Sequence, residues 1–193
     1  MFKHLPATDN SPISSTQSGF SPPTIRTRFA GDIDASMLIS PEAFDEERHQ
    51  ETLRVFFKFF NHWCWWVDES RFRNDMTLVP AQSELIVRPN LRTAYYSPLL
   101  HFAILAIGVM YLDNVPYVER ERLANALARN AAKFFEEEIE GAKLSAVSGL
   151  MLLGTHHAGH ARQGLGYIYA GIGMRLTRIR QSSSFLLRRG VKV

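Results

Sequence analysis

The 193-residue chain is 46% hydrophobic and 11% aromatic, which suits one folded domain with a real core and excludes a wholly disordered chain. Its net charge of +3 is lopsided: the last nineteen residues hold six basic and no acidic side chains, leaving 16 basic against 19 acidic residues, net −3, in residues 1–174. That argues against a nucleic-acid-binding body, and a single cysteine, Cys64, excludes both an intrachain disulfide and a cysteine-based zinc cluster.

The start, Met1-Phe2-Lys3-His4-Leu5-Pro6, lacks the apolar run of a secretory signal, and the longest apolar segment, Leu99 to Leu112, contains His101 and is too short for a bilayer. The chain therefore reads as soluble and intracellular. Residues 1 to about 40 are rich in Ser, Thr and Pro and poor in large apolar side chains, so they read as a disordered tail that cannot offset the entropy of ordering. Ser40-Pro41 supplies a cap and a first-turn proline, with Glu42, Asp45, Glu46 and Glu47 suited to the positive end of a helix. Leu53, Phe56, Phe57 and Phe60 then recur at i, i+3, i+4 and i+7, one buried helical stripe.

The run His62-Trp63-Cys64-Trp65-Trp66-Val67 interrupts that stripe; it reads as core in preference to a ligand or partner platform, with a buried thiol. Asp68 caps a short helix holding Phe72 and Met76, and residues 78–94 read as a connection. Ser97-Pro98 repeats the cap-plus-proline start of a helix to Leu112 that is apolar nearly all round, as expected of a central element. A longer helix follows Pro116, carrying apolar residues from Tyr117 to Ile139 and ending near Gly141; Glu136, Glu137, Glu138 and Glu140 read as its solvated face. Two more helices run from about Ser145, broken near Gly159, and from Gln163 to Ile179. The expected fold is all-α: an irregular bundle of about five to six helices in residues 41–180, between the tail 1–40 and a basic irregular tail 181–193.

His156, His157 and His160 are the candidate metal or catalytic group, because i, i+4 imidazoles can reach one ion. The glutamate of a zinc-protease helix is replaced by His157, so a satisfied or exposed histidine group is the preferred reading, and an all-α ligand- or metal-binding protein or enzyme the alternative. Gly164, Gly166, Gly171 and Gly173 follow a helix and have Tyr169 where a dinucleotide fingerprint needs glycine, so they read as sites of close helix approach. No catalytic, cofactor-binding or metal-ligating residue is expected, and no cofactor. Arg178 to Lys192 could supply nonspecific phosphate affinity or an import signal, without a base-reading motif.

Three segments carry a family resemblance. Tyr96-Ser97-Pro98-Leu99-Leu100-His101-Phe102-Ala103-Ile104-Leu105-Ala106-Ile107-Gly108 resembles an "SPLL-x-x-AILA-G" helix, and Tyr167 to Leu176 is similar to a "W-x-Y-x-G-x-A-x-R" helix. Phe56 to Asp75 resembles an aromatic opening with a "V-x-x-x-x-F-x-x-D" element, here Val67, Phe72 and Asp75. Together these resemble the regulatory middle homology domain of fungal zinc-cluster transcription factors of the xylanolytic-activator type, over residues 46–180. The resemblance implies a nuclear transcription-regulatory module that works through protein contacts: the transcription machinery, a full-length regulator, or a homo- or hetero-oligomeric partner. Tyr167 stands where tryptophan is usual and Gly173 where alanine is usual. The family's six-cysteine, two-zinc DNA-reading cluster has no counterpart here, and the chain turns to Arg180-Gln181-Ser182-Ser183-Ser184 where the family helix continues, so the module reads as truncated.

Overall fold

The computed structural model describes residues 44–78, 87, 90–141 and 143–188, with side chains as far as 178. The expected tail 1–40 and the Ser40-Pro41 cap lie outside them. Among the described residues every regular element is helical.

Helix α1 (Glu46–Val55) starts at Asp45, whose carboxylate accepts from the Arg48 N–H at 2.8 Å, with Glu46 and Glu47 in the first turn. It passes into a π-helical turn, Phe56–Phe60, in which Asn61 N bonds back to Phe56 O, and then into α2 (Asn61–Cys64). Leu53, Phe56 and Phe57 are buried and Phe60 packs at the edge of the core, as the stripe predicts. Asp68 caps α3 (Glu69–Met76) by accepting from Arg71 N at 3.0 Å, and α3 inserts Phe72 into the core.

Helix α4 (Pro98–Gly108) is the central rod: all its residues except Phe102 are buried, and it packs against α1, α5 (Tyr117–Lys133) and α7 (Leu144–Gly159). Its first turn is unusually complete. Pro98 has no donor, Leu100 N–H is accepted by Ser97 Oγ at 3.2 Å, and Leu99 N–H by a side chain from α6 (Phe135–Gly141). At its far end α4 touches α1 so closely that a Cβ on Gly108 would lie 2.6 Å from the Thr52 carbonyl oxygen.

The single long helix expected after Pro116 is two, α5 and α6, parted at Phe134. The break is at Phe134 itself, whose backbone (φ −91°, ψ 1°) leaves the helical region; its ring stacks on Phe102 of α4 at 6.0 Å, while Phe135 meets Tyr169 edge-on at 5.8 Å. Helix α8 runs from Gln163 to Arg188, past the expected end near Ile179 and into the segment 181–193 read as irregular. No Gly or Pro falls between Met174 and Arg188, so nothing in the Ser-rich stretch stops the backbone ladder. The described residues thus form an irregular all-helical bundle, in keeping with the fold class expected.

Candidate contact surface

The three candidate histidines do come together at the end of α7. The rings of His156 and His160 lie 4.3 Å apart between centroids, and His160 Nδ1–H donates to the His156 carbonyl at 2.8 Å. Arg162 turns back over them: its Nη2 donates to His156 Nε2 at 3.1 Å and also to Asn125 Oδ1 of α5. His157 stacks on Tyr169 of α8, centroids 5.4 Å apart and planes 12° off parallel. Burial, then the positive fields of His160, His157 and Arg162, pushes His156 down to about 3; burial, then Arg162 and His160, takes His157 to about 4. A guanidinium thus occupies the lone pair a metal would need, and no carboxylate joins the group. Among the described residues no three His, Cys, Asp or Glu side chains are placed to hold an ion. His156 and His157 are thus held neutral at a packed helix end closed by Arg162.

The aromatic run departs from expectation. Trp63 is 87% and Trp65 78% exposed; only Trp66 reaches the core, edge-on to Phe60 at 6.4 Å, and the Cys64 thiol is half-buried, its ionisation pushed up by burial. The run falls on a helix end, where consecutive side chains fan out by roughly 100° each and cannot share one buried face. Trp65 itself terminates α2 in the left-handed region at φ 53°, and the reversal is pinned by Asn61, which donates to Val67 O at 2.8 Å and accepts from Val67 N at 3.1 Å. Nearby, Phe59 stacks on Tyr111 at 6.1 Å with Lys58 above its ring, so an aromatic surface with a basic edge faces outward.

Helix α8 lies on α7 through small residues. A Cβ on Gly166 would meet Gly154 O at 2.9 Å and Ala158 N at 3.1 Å, the close approach predicted from the glycines; Gly164 and Gly171 have nothing within 4 Å. The element before them is α7, a helix and not a strand, so no phosphate cradle is formed. Facing outward from α8 are Leu165, Tyr167, Ile168 and Met174, beside exposed Arg175 and Arg178.

Glu138, expected on a solvated face, is 4% exposed. Its Oε1 is the group that accepts Leu99 N–H at 2.8 Å, and burial, outweighing its hydrogen bonds, holds its carboxyl above the usual range. Sequence reasoning also missed a second histidine cluster. His49 of α1 and His101 of α4 meet in the core with Nε2 atoms 2.8 Å apart, and the Tyr96 hydroxyl lies 3.0 Å from His101 Nδ1. A histidine inside an otherwise apolar helix was the available signal, since such a group must find a partner.

Fold and surface together define an all-helical domain whose packed interior is ringed by outward-facing aromatic and basic side chains. The sequence pattern of the fungal specific transcription factor domain matches residues 53–183, more than half of the chain, and the protein belongs to that family. It is a domain of fungal transcription regulators, not an enzyme family, and its members are typically nuclear. No curated protein and no solved structure matches the chain.

Proposed function

We propose that this chain is a transcription-regulatory module that acts in the nucleus by binding other proteins, and neither catalyses a reaction nor recognises DNA sequence itself. The body of the module is residues 41–180, preceded by the Ser/Pro/Thr-rich segment 1–40; DNA is reached through a partner or a zinc cluster carried elsewhere, and no residue serves as catalyst, cofactor ligand or metal ligand. The observation that carries this reading is the exposure of Trp63 and Trp65, 87% and 78%, beside a packed helical core. Large aromatics left in water on a helix end are the side chains that anchor protein interfaces. The histidine alternative is disfavoured by the guanidinium of Arg162 against His156. Among the described residues no helix is long and apolar enough to cross a membrane, which suits a partner that is a protein.

The test is a reporter assay with the chain fused to an unrelated DNA-binding domain, alongside a salt-titrated gel shift with competitor DNA. The fusion changes transcription, the double substitution Trp63→Ala/Trp65→Ala abolishes the change while circular dichroism stays helical, and the isolated chain binds DNA only nonspecifically. A fusion without effect, or sequence-selective binding by the chain alone, overturns the reading.

A further inference from the structure

Helix α8 meets α7 along one side and leaves another bare. Gly166 lies against Gly154 and Ala158, and Gly173 against Val147, Leu150 and Met151, so α8 runs antiparallel to α7 with both glycines turned toward it. On the outward side Gly164, Ile168, Gly171 and Arg175 recur at i, i+4, i+7 and i+11, with Tyr167 and Met174 beside them. Tyr167 is 86% exposed, and Ile168, Met174 and Arg175 are exposed with it. A Cβ on Gly171 would meet nothing within 4 Å, so this glycine forgoes helix propensity without bringing any described neighbour closer. Among the side chains of Tyr167, Ile168, Met174 and Arg175 it leaves a shallow notch, the shape that receives a ridge of another helix.

Length and charge decide what fits that notch. One step forward along α8 answers one step back along α7, which sets Leu144, the start of α7, opposite about residue 178, whereas the α8 backbone continues to Arg188. From Gly164 to Thr177 the face spans about four turns, roughly 20 Å, enough for a partner helix of about 15 residues. Over its 26 residues α8 carries four arginines and no acidic side chain. A second α8 laid on the first would bring only cations toward Arg175. A helix with carboxylates flanking an apolar stripe would answer both the charge and the exposed Tyr167, Ile168 and Met174.

We propose that the outward face of α8 is a docking groove for an acidic amphipathic helix of a partner protein, seated over Gly171 with its carboxylates toward Arg175. The groove rests on the reading that the chain works through protein contacts, but it belongs to a different element from the one that bears Trp63 and Trp65.

Fluorescence anisotropy on the full chain tests this with a labelled peptide of about 15 residues, leucine at three- and four-residue spacings and glutamate on both flanks of that stripe. The glutamate peptide binds, its glutamine counterpart binds about tenfold more weakly, and raising salt from about 0.05 M to about 0.3 M narrows that difference. Gly171→Leu fills the notch in open space, so the chain stays helical by circular dichroism and binds the glutamate peptide at least about tenfold more weakly. Arg175→Glu turns the preference toward a lysine version of the peptide, a reversal that a damaged fold would not produce. No binding of the glutamate peptide, equal binding of the glutamate and glutamine peptides, or equal binding by wild type and Gly171→Leu overturns the proposal. So does sedimentation that shows a dimer dispersed by Gly171→Leu, because a second copy is then the occupant. None of these measurements uses the reporter, so the groove can fail while the tryptophan surface stands, and the reverse.

Discussion

Glu138 Oε1 accepts the backbone N–H of Leu99 at 2.8 Å, so a residue 39 positions downstream completes the first turn of the central helix. Leu99 is fully buried, and without that acceptor its N–H would face an apolar interior. Glu138→Ala is expected to cost about 1–3 kcal/mol, the penalty for a buried donor left unmet. Glu138→Gln keeps a carbonyl in place and sheds the buried charge. A carboxyl held above its usual range contributes stability at low pH and loses it as pH rises through the raised value, so the glutamine variant gains on wild type with rising pH. Urea unfolding of the three chains at several pH values reads both effects.

His156 and His157 give the opposite slope. Both are neutral in the folded and unfolded chain above the ordinary histidine value of 6.5. Below it only the unfolded chain takes up their protons, so stability is lost as pH falls toward about 4 for His157 and about 3 for His156. Each contributes at most about 1.4 kcal/mol per pH unit. His157→Phe, which retains the stack on Tyr169, is expected to flatten the acid limb of a stability–pH curve and leave the neutral value nearly unchanged.

Two glycines predict opposite outcomes for the same substitution. A Cβ on Gly149 would lie 2.1 Å from Leu99 Cδ2 and 3.0 Å from the backbone N and Cα of Leu100, so α7 would have to back away from α4. Gly149→Ala is expected to destabilise by about 1–3 kcal/mol. Gly171, inside α8 with nothing within 4 Å, gains about 0.5–1 kcal/mol as alanine through helix propensity alone. Thermal unfolding of both variants distinguishes them by sign.

Trp65 and Ala161 hold left-handed backbone conformations, φ 53° and 57°, without being glycine. Ala161→Gly and Trp65→Gly are each expected to stabilise by about 0.5–1 kcal/mol, since the strain of a Cβ in that region is removed. For Trp65 the same variant loses the exposed ring, so a gain in melting temperature paired with a loss of reporter activity separates its part in contact from its part in folding.

Local signals carried well into the structure. The Asp68 and Ser97-Pro98 caps, the stripe from Leu53 to Phe60 and the all-round apolar α4 are each decided within a few residues by capping geometry and helical period, and each is found where those rules put it, although α4 ends at Gly108 and a 3-10 turn, Val109–Tyr111, carries the chain on to Leu112. What stayed hidden depends on distant partners. The surface periodicity of Glu136 to Glu140 cannot say that α6 begins afresh at Phe135 and turns Glu138 inward, and 52 residues separate the histidines that meet in the core. Trp63 and Trp65 depart from the burial that tryptophan's size favours, because the helix end leaves those two positions no interior to enter.

The π-turn at Phe56–Phe60 spends one more residue than an α-helix would on the same stretch of axis. Deletion of one residue there would let the ladder close as an ordinary α-helix over the same stretch, so the residues beyond would keep nearly their present bearing relative to α1. The turn is thus a place where the chain can shed one residue of length without rebuilding its interior.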